Sequence, residues 1–252
     1  MTLHSFDRNS HRAHTVAATP AVSNVSRRSG AVRRLLVLAA IATAGVTTLA
    51  VPTAAHAAPV APIAAQNRPQ KPTRLPDVIA DQAAQALAMV KRFEQTGDRL
   101  ALSGFDRARD DIAAAVAARL GLEASAMQDA WRAADLEHQT AVIAAMGQLG
   151  VSYRRNTSRP GVGFDCSGLT TYAWAQAGHE LTRQSTAQIR AAAPRNRSTA
   201  QAGDLVQYPG HVMMYLGVGD AVIHSVMSGR TVELDTISSR RANSARFGDP
   251  TA

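Results

Sequence analysis

The sequence predicts an α+β fold, with helices first and a run of short antiparallel strands after them. Three observations carry this. Between 77 and 149 apolar residues recur at three- and four-residue steps. Between 205 and 234 short apolar runs are separated by Pro-Gly, Gly-Val-Gly and Ser-Gly breaks. Hydrophobic residues make up 46% of the chain but aromatics only 4%, so the core is built from Ala, Val, Leu and Ile, and a long all-β sandwich is disfavoured. At 252 residues the chain has room for one domain with appendages or two small ones.

Residues 1–57 read as a secretory signal peptide. Arg8, Arg12, Arg27, Arg28, Arg33 and Arg34 stand against Asp7 alone, ahead of the apolar run Leu35-Leu36-Val37-Leu38-Ala39-Ala40-Ile41. Ala55-His56-Ala57 supplies the small residues of a cleavage site, so Ala58 is the expected first residue of a mature, exported protein. The apolar stretch is near the lower limit for spanning a bilayer and Pro52 ends it, so no stable membrane insertion is expected after cleavage. This head holds +5 of the formal net charge of +8. The remaining 21 basic and 18 acidic residues leave +3, which suits an anionic polymer without naming one. With so few aromatics, a base-stacking nucleic-acid surface is not expected.

Pro59, Pro62, Pro69, Pro72 and Pro76 make 58–76 an extended linker, since proline breaks helices and buried strands. A small helical region is expected over 77–135. Its first helix starts after Asp77, an N-cap residue, and stops at Gly97. A second covers 106–120 with Ile112, Val116 and Leu120 on one face, ending at Gly121. A third begins at Ser125, where Gln128 three residues on forms a capping-box pattern, and Trp131 is its core anchor. The polar Asp135-Leu136-Glu137-His138 marks a boundary, with His138 a surface or boundary residue, and a second domain is expected over 136–252.

There, a loop over 154–163 leads to a helix that opens at Cys166 and closes at Gly178. Strands follow at 205–208, 212–216, 221–225 and 231–234.

A single cysteine excludes an internal disulfide framework and paired-cysteine zinc sites. Cys166 opens a helix, where unpaired N–H groups and the helix dipole favour a thiolate. An unpaired thiol on an exported chain is exposed to oxidation, which favours a use for it. Four histidines follow the signal: His138, His179, His211 and His224. If Gly217-Val218 is a two-residue turn, positions paired across the hairpin sum to 435, which sets His211 opposite His224 on one sheet face. One imidazole can then take the thiol proton while the other holds it in place. Zinc bound by Cys166, His211 and His224 is the competing reading, but no closely spaced ligand pair supports it, and no cofactor or metal is expected.

Phe164-Asp165-Cys166-Ser167-Gly168-Leu169, then Leu181-Thr182-Arg183-Gln184-Ser185 with Gln188, then Gly203-Asp204-Leu205-Val206, and finally His211-Val212, Tyr215-Leu216-Gly217 and Ile223-His224 resemble the NlpC-type cell-wall cysteine peptidases. The resemblance covers roughly 138–252. It implies a papain-like domain of helices packed on a small antiparallel sheet. It further implies Cys166 as nucleophile, His211 as general base and His224 as the orienting residue. Tyr153 is then an oxyanion or substrate contact, with Asp165 and Ser167 binding the peptidoglycan stem peptide. The bond typically cut in this family joins D-glutamate, through its γ-carboxyl, to a diamino acid. Thr182 and Ala202 stand where the family usually has proline, and neither change removes a group the mechanism needs.

Overall fold

The computed structural model describes residues 74–252. The expected signal peptide and most of the linker lie outside the described residues.

Helix α1 (Val78–Thr96) begins where Asp77 accepts hydrogen bonds from the Ile79 and Ala80 N–H groups, and ends at Gly97, whose φ of 71° gives the left-handed turn. Helix α2 (Arg99–Leu120) starts one turn and more ahead of the expected 106, because Asp98 caps it through the Leu100 and Ala101 N–H groups. It returns along α1, so that Arg119 near its end pairs with Asp77 at 2.6 Å. Helix α3 (Ala124–Ala133) corrects the capping-box expectation: Glu123 is its N-cap, with no side-chain bond, and Ser125 lies inside the helix.

Helix α4 (Leu136–Met146) begins immediately after Asp135, whose carboxylate accepts from the His138 N–H at 2.9 Å. The polar interruption is therefore a helix cap. His138 is fully buried rather than at the surface. Its Nδ1 lies 2.8 Å from Asp135 Oδ1, its Nε2 lies 3.4 Å from Asp204 and 3.5 Å from Asp249, and its ring edge meets Trp174. Burial pulls the pKa of this imidazole down, but the bonds to Asp204 and Asp135 and the charge of Asp249 outweigh it and hold the group above the ordinary histidine value. A buried histidine with these carboxylate partners is satisfied as a cation.

Two short strands, β1 (Ser158–Arg159) and β2 (Gly163–Phe164), pair antiparallel inside the segment expected as a plain loop. Helices α5 (Cys166–Gln176) and α6 (Ser185–Ala191) follow. The main sheet is built from β3 (Ala193–Arg195), β4 (Leu205–Tyr208), β5 (His211–Tyr215), β6 (Ala221–Ser225), β7 (Val232–Thr236) and β8 (Arg246–Asp249), in the order β3-β8-β4-β5-β6-β7, antiparallel throughout. Four of the six strands match the expected ones to within two residues. β3 and β8 were not expected.

One apolar cluster runs from Ile79 and Val90 of α1 through Phe105 and Ile112 of α2, Trp131, Val142 and Trp174 to Leu205, Met214 and Ile223 of the sheet. The alternate strand positions Val206, Met213, Tyr215 and Val222 form a second cluster with Phe247. The first cluster crosses residue 135 without a break. Trp131 marks the seam, donating its indole N–H to the Leu216 carbonyl at 3.0 Å. Beside it, Gly217 turns the chain with φ 84°, and an added Cβ would lie 2.9 Å from that of Ala130.

Candidate active site

Cys166 is the first residue of α5, partly buried and free of any disulfide. Asp165 precedes it in extended conformation, and its Oδ1 accepts the Gly168 N–H at 2.7 Å. The helix therefore starts abruptly at the cysteine, which faces the positive end of the dipole. Gly168 is required for this start, since a Cβ there would lie 2.1 Å from the Thr157 carbonyl oxygen.

Arg183 locks the same turn from outside. Its Nη2 reaches both Asp165 oxygens at 2.9 and 3.1 Å, and its Nη1 reaches Ser167 Oγ at 3.1 Å. Ser167 in turn donates to the Arg183 carbonyl at 2.7 Å. Asp165 and Ser167 are thus largely buried and engaged in holding the helix start. With Arg183 and Asn156 they also line a recess of about 480 Å³.

The histidines come from neighbouring strands. Pro209 and Gly210, the latter with φ 84°, form the tight turn that ends β4, and His211 is the first residue after it, paired with Tyr208. Across the next hairpin the register is Met214↔Ile223 and Tyr215↔Val222, so paired positions sum to 437 and not 435. The connection spans more than the two expected residues. A displacement of two keeps both histidines on one face, because strand side chains alternate with period two. They meet diagonally, with His211 Nε2 at 2.7 Å from His224 Nδ1.

Cys166 is brought to this end of the sheet by the segment before it. Ser225, next to His224, donates its hydroxyl to the Phe164 carbonyl at 2.7 Å. Tyr153 bridges to Phe164 and donates its N–H to the Arg230 carbonyl at 2.8 Å. Helix α5 packs on β5 and β6. Among the described residues no hydrogen bond joins the sulfur to either imidazole. Such bonds are commonly long in unliganded sites and tighten with substrate.

Burial, the neighbouring His224 and then Arg241 lower the His211 pKa to about 4. The imidazole is neutral near pH 7 and available as a base. Burial also lowers His224, against the opposing pull of Asp235. Burial raises the Tyr153 hydroxyl, and the nearby Cys166 and Asp165 add to it, so Tyr153 keeps its proton and can donate it to a developing oxyanion. A second recess of about 380 Å³ lies beside the histidine pair, bounded by Tyr208, Met227 and Arg241. The Arg241 guanidinium lies over the Tyr208 ring, 4.8 Å from its centre. No residue of α1, α2 or α3 lines either recess.

Among the described residues, the histidine and carboxylate atoms that converge within 4.8 Å are those of His138, Asp204 and Asp249. They already serve one another, and Arg195 holds Asp249 at 2.5 Å. His179 pairs with Glu137 at 2.8 Å and takes no part in the site. Sequence reading missed Arg183 as the clamp on Asp165, and Arg241 and Asp235 as charges beside the histidines. Arg183 was visible only as part of a motif, and the other two lie in segments with no distinctive spacing.

Residues 150–248 match the NlpC/P60 family. A probable endopeptidase of Corynebacterium glutamicum is 42% identical over 93 residues, which are 36% of this chain and 44% of that protein. The murein DD-endopeptidase MepH of Escherichia coli is 35% identical over 103 residues, 37% of this chain and 38% of that protein. The chain thus spans less than half the length of either relative. The crystal structure of the P60 domain from the M. avium subspecies paratuberculosis antigen MAP1204 aligns at 25% identity and a TM-score of 0.40, over 46% of this chain and 96% of that one. Residues 150–248, the segment that matches the NlpC/P60 family, include the cysteine, both paired histidines and the strands that carry them.

Proposed function

We propose that the chain is an exported cell-wall hydrolase that cuts peptidoglycan stem peptides through a thiol acyl-enzyme, with the bond between the D-glutamate γ-carboxyl and a diamino acid as its target. The observation that carries this reading is the imidazole pair, with His211 Nε2 and His224 Nδ1 2.7 Å apart, at the sheet end that receives the start of α5 and its cysteine. Relatives named as endopeptidases, one of them a murein endopeptidase, support the substrate class.

In the reaction, the Cys166 sulfur attacks the scissile carbonyl carbon and its proton passes to His211. Since Nε2 of that ring is held by His224, Nδ1 is the nitrogen that receives it. The tetrahedral oxyanion is stabilised by the Cys166 N–H and the Tyr153 hydroxyl. The C–N bond breaks as His211 returns the proton to the departing amine. Water then gives a proton to His211 and attacks the thioester, the C–S bond breaks, and the sulfur recovers its proton.

Wild type and Cys166→Ala are incubated with purified muropeptides of defined structure, and products are read by mass spectrometry. The expected result is a new diamino-acid amine with wild type and no turnover with Cys166→Ala. Cleavage by Cys166→Ala overturns the mechanism. A new amine on L-alanine redefines the enzyme as an amidase, and cleavage at the D-alanine cross-link moves it to the bond named for MepH. Binding to sacculi without any cleavage by wild type makes it a catalytically silent wall-binding module.

A further inference from the structure

The tautomers of the histidine pair are set by its own geometry. For neutral His211 to take a proton on Nδ1, its hydrogen must sit on Nε2, where it is donated to His224 Nδ1 at 2.7 Å. His224 then accepts at Nδ1, so its own hydrogen must sit on Nε2. That nitrogen is buried and makes no hydrogen bond among the described residues. A buried donor without a partner is costly, and the opposite tautomer of His224 would put the hydrogen on Nδ1, reverse the bond, and leave His211 carrying its proton on the nitrogen meant to receive one.

One anionic oxygen stands within reach. Asp235 Oδ2 lies 3.5 Å from His224 Nε2, too long for a good hydrogen bond but within ion-pair range. Strand pairing puts it there: His224 is opposite Glu233 on β7, and Asp235, two residues on, shares its face. Glu233 is taken up by Arg230 and by the Thr231 N–H and hydroxyl. Among the described residues Asp235 holds only the Thr236 N–H, through its other oxygen, and its side chain is 46% exposed, so it is free to turn. The charged groups around the pair are thus Asp235, Glu233 and Arg230 beside His224, with Arg241 beside His211.

We infer that Asp235 is a positioning residue that accepts the Nε2–H of His224 and so completes a chain running from Cys166 through His211 and His224 to a carboxylate. The inference rests on the thiol mechanism proposed above. Asp235 touches no substrate. It selects the tautomer of His224, which selects that of His211, and its charge favours the imidazolium formed when the thiol gives up its proton.

The full exported chain is compared with Cys166→Ala, Asp235→Ala, Asp235→Asn and Glu233→Gln on the same muropeptides, with imidazole nitrogen NMR on wild type, both Asp235 variants and Glu233→Gln. For Asp235→Ala, kcat is expected to fall roughly 100-fold, the lower end of what acid–base catalysis contributes, with KM little changed. The pH–rate profile moves to lower pH, because removing an anion disfavours the imidazolium. The His224 hydrogen moves from Nε2 to Nδ1. Asp235→Asn keeps an acceptor oxygen and recovers part of the loss, while Glu233→Gln, which removes a charge but no acceptor of the Nε2–H, leaves the His224 hydrogen on Nε2. Wild-type kcat, pH profile and His224 tautomer in Asp235→Ala, with Cys166→Ala inactive, overturn this inference alone. A fall in kcat with an unchanged tautomer and no recovery by Asn also overturns it, as a structural effect. Cleavage by Cys166→Ala removes the thiol mechanism and this inference with it.

Discussion

Lowering the pH from about 7.5 to about 5 is expected to cost the folded chain about 2 kcal/mol at His211. An unfolded histidine titrates near 6.5, whereas burial, His224 and Arg241 hold this one at about 4. Between those values the unfolded chain binds a proton that the folded chain refuses. The contribution is complete above 6.5 and is lost as the pH falls toward 4, the whole gap being worth about 3.4 kcal/mol. Burial lowers His224 in the same direction, so the two rings share the loss as a coupled pair. Buried His138 runs the other way: its pKa is raised, so its contribution is complete below the ordinary histidine value and is lost as the pH rises through its folded value. The assay is urea unfolding of wild type and His211→Gln at several pH values across this range. The carboxylates are common to both proteins and cancel. Stability of the variant should fall with acid less steeply, by about 2 kcal/mol over the interval. Parallel slopes would refute the claim that burial keeps His211 neutral.

Gly168→Ala drives a methyl group into the Thr157 carbonyl, and the forced shift should cost about 1–3 kcal/mol in chemical denaturation despite the better helix propensity of alanine; a stabilised variant contradicts the packing. Trp131→Phe removes the donor to the buried Leu216 carbonyl and should cost about 1–3 kcal/mol, read as a lowered urea midpoint at unchanged m-value. Arg241→Gln withdraws a positive charge beside His211, so the acid limb of kcat/KM should move to higher pH; an unmoved limb means that the guanidinium does not act on the base.

Local signals proved readable where the chain obeys local rules. Asp77 and Gly97 bracket α1 as their chemistry requires. Cys166 opens its helix because Asp165 caps it. The two histidine-bearing strands follow from alternation and the Pro209-Gly210 turn. The histidines were expected together for a register that is off by two residues, and the error was harmless only because an even displacement preserves the face.

The failures share a cause, since each depends on partners distant in sequence. His138 looked polar and exposed because Asp204 and Asp249, which face its buried ring, arrive from 66 and 111 positions away. β3 carries Pro194 and β8 carries Gly248, both weak strand signals, and these segments become strands by pairing with each other and with β4. Ser125 lost its expected cap position because Leu122 donates its N–H back to Ala117, closing α2 and starting the next helix early.

The indole bond from α3 to the hairpin carbonyl lies within an apolar interior that admits no dividing line near residue 135. The helices ahead of the histidine-bearing strands are therefore structural walls, not a detachable cover. Melting of the two regions should be a single cooperative event. The chain carries its own reporters for this, since Trp131 sits on one side and Trp174 on the other. Fluorescence from either indole alone should trace the same curve.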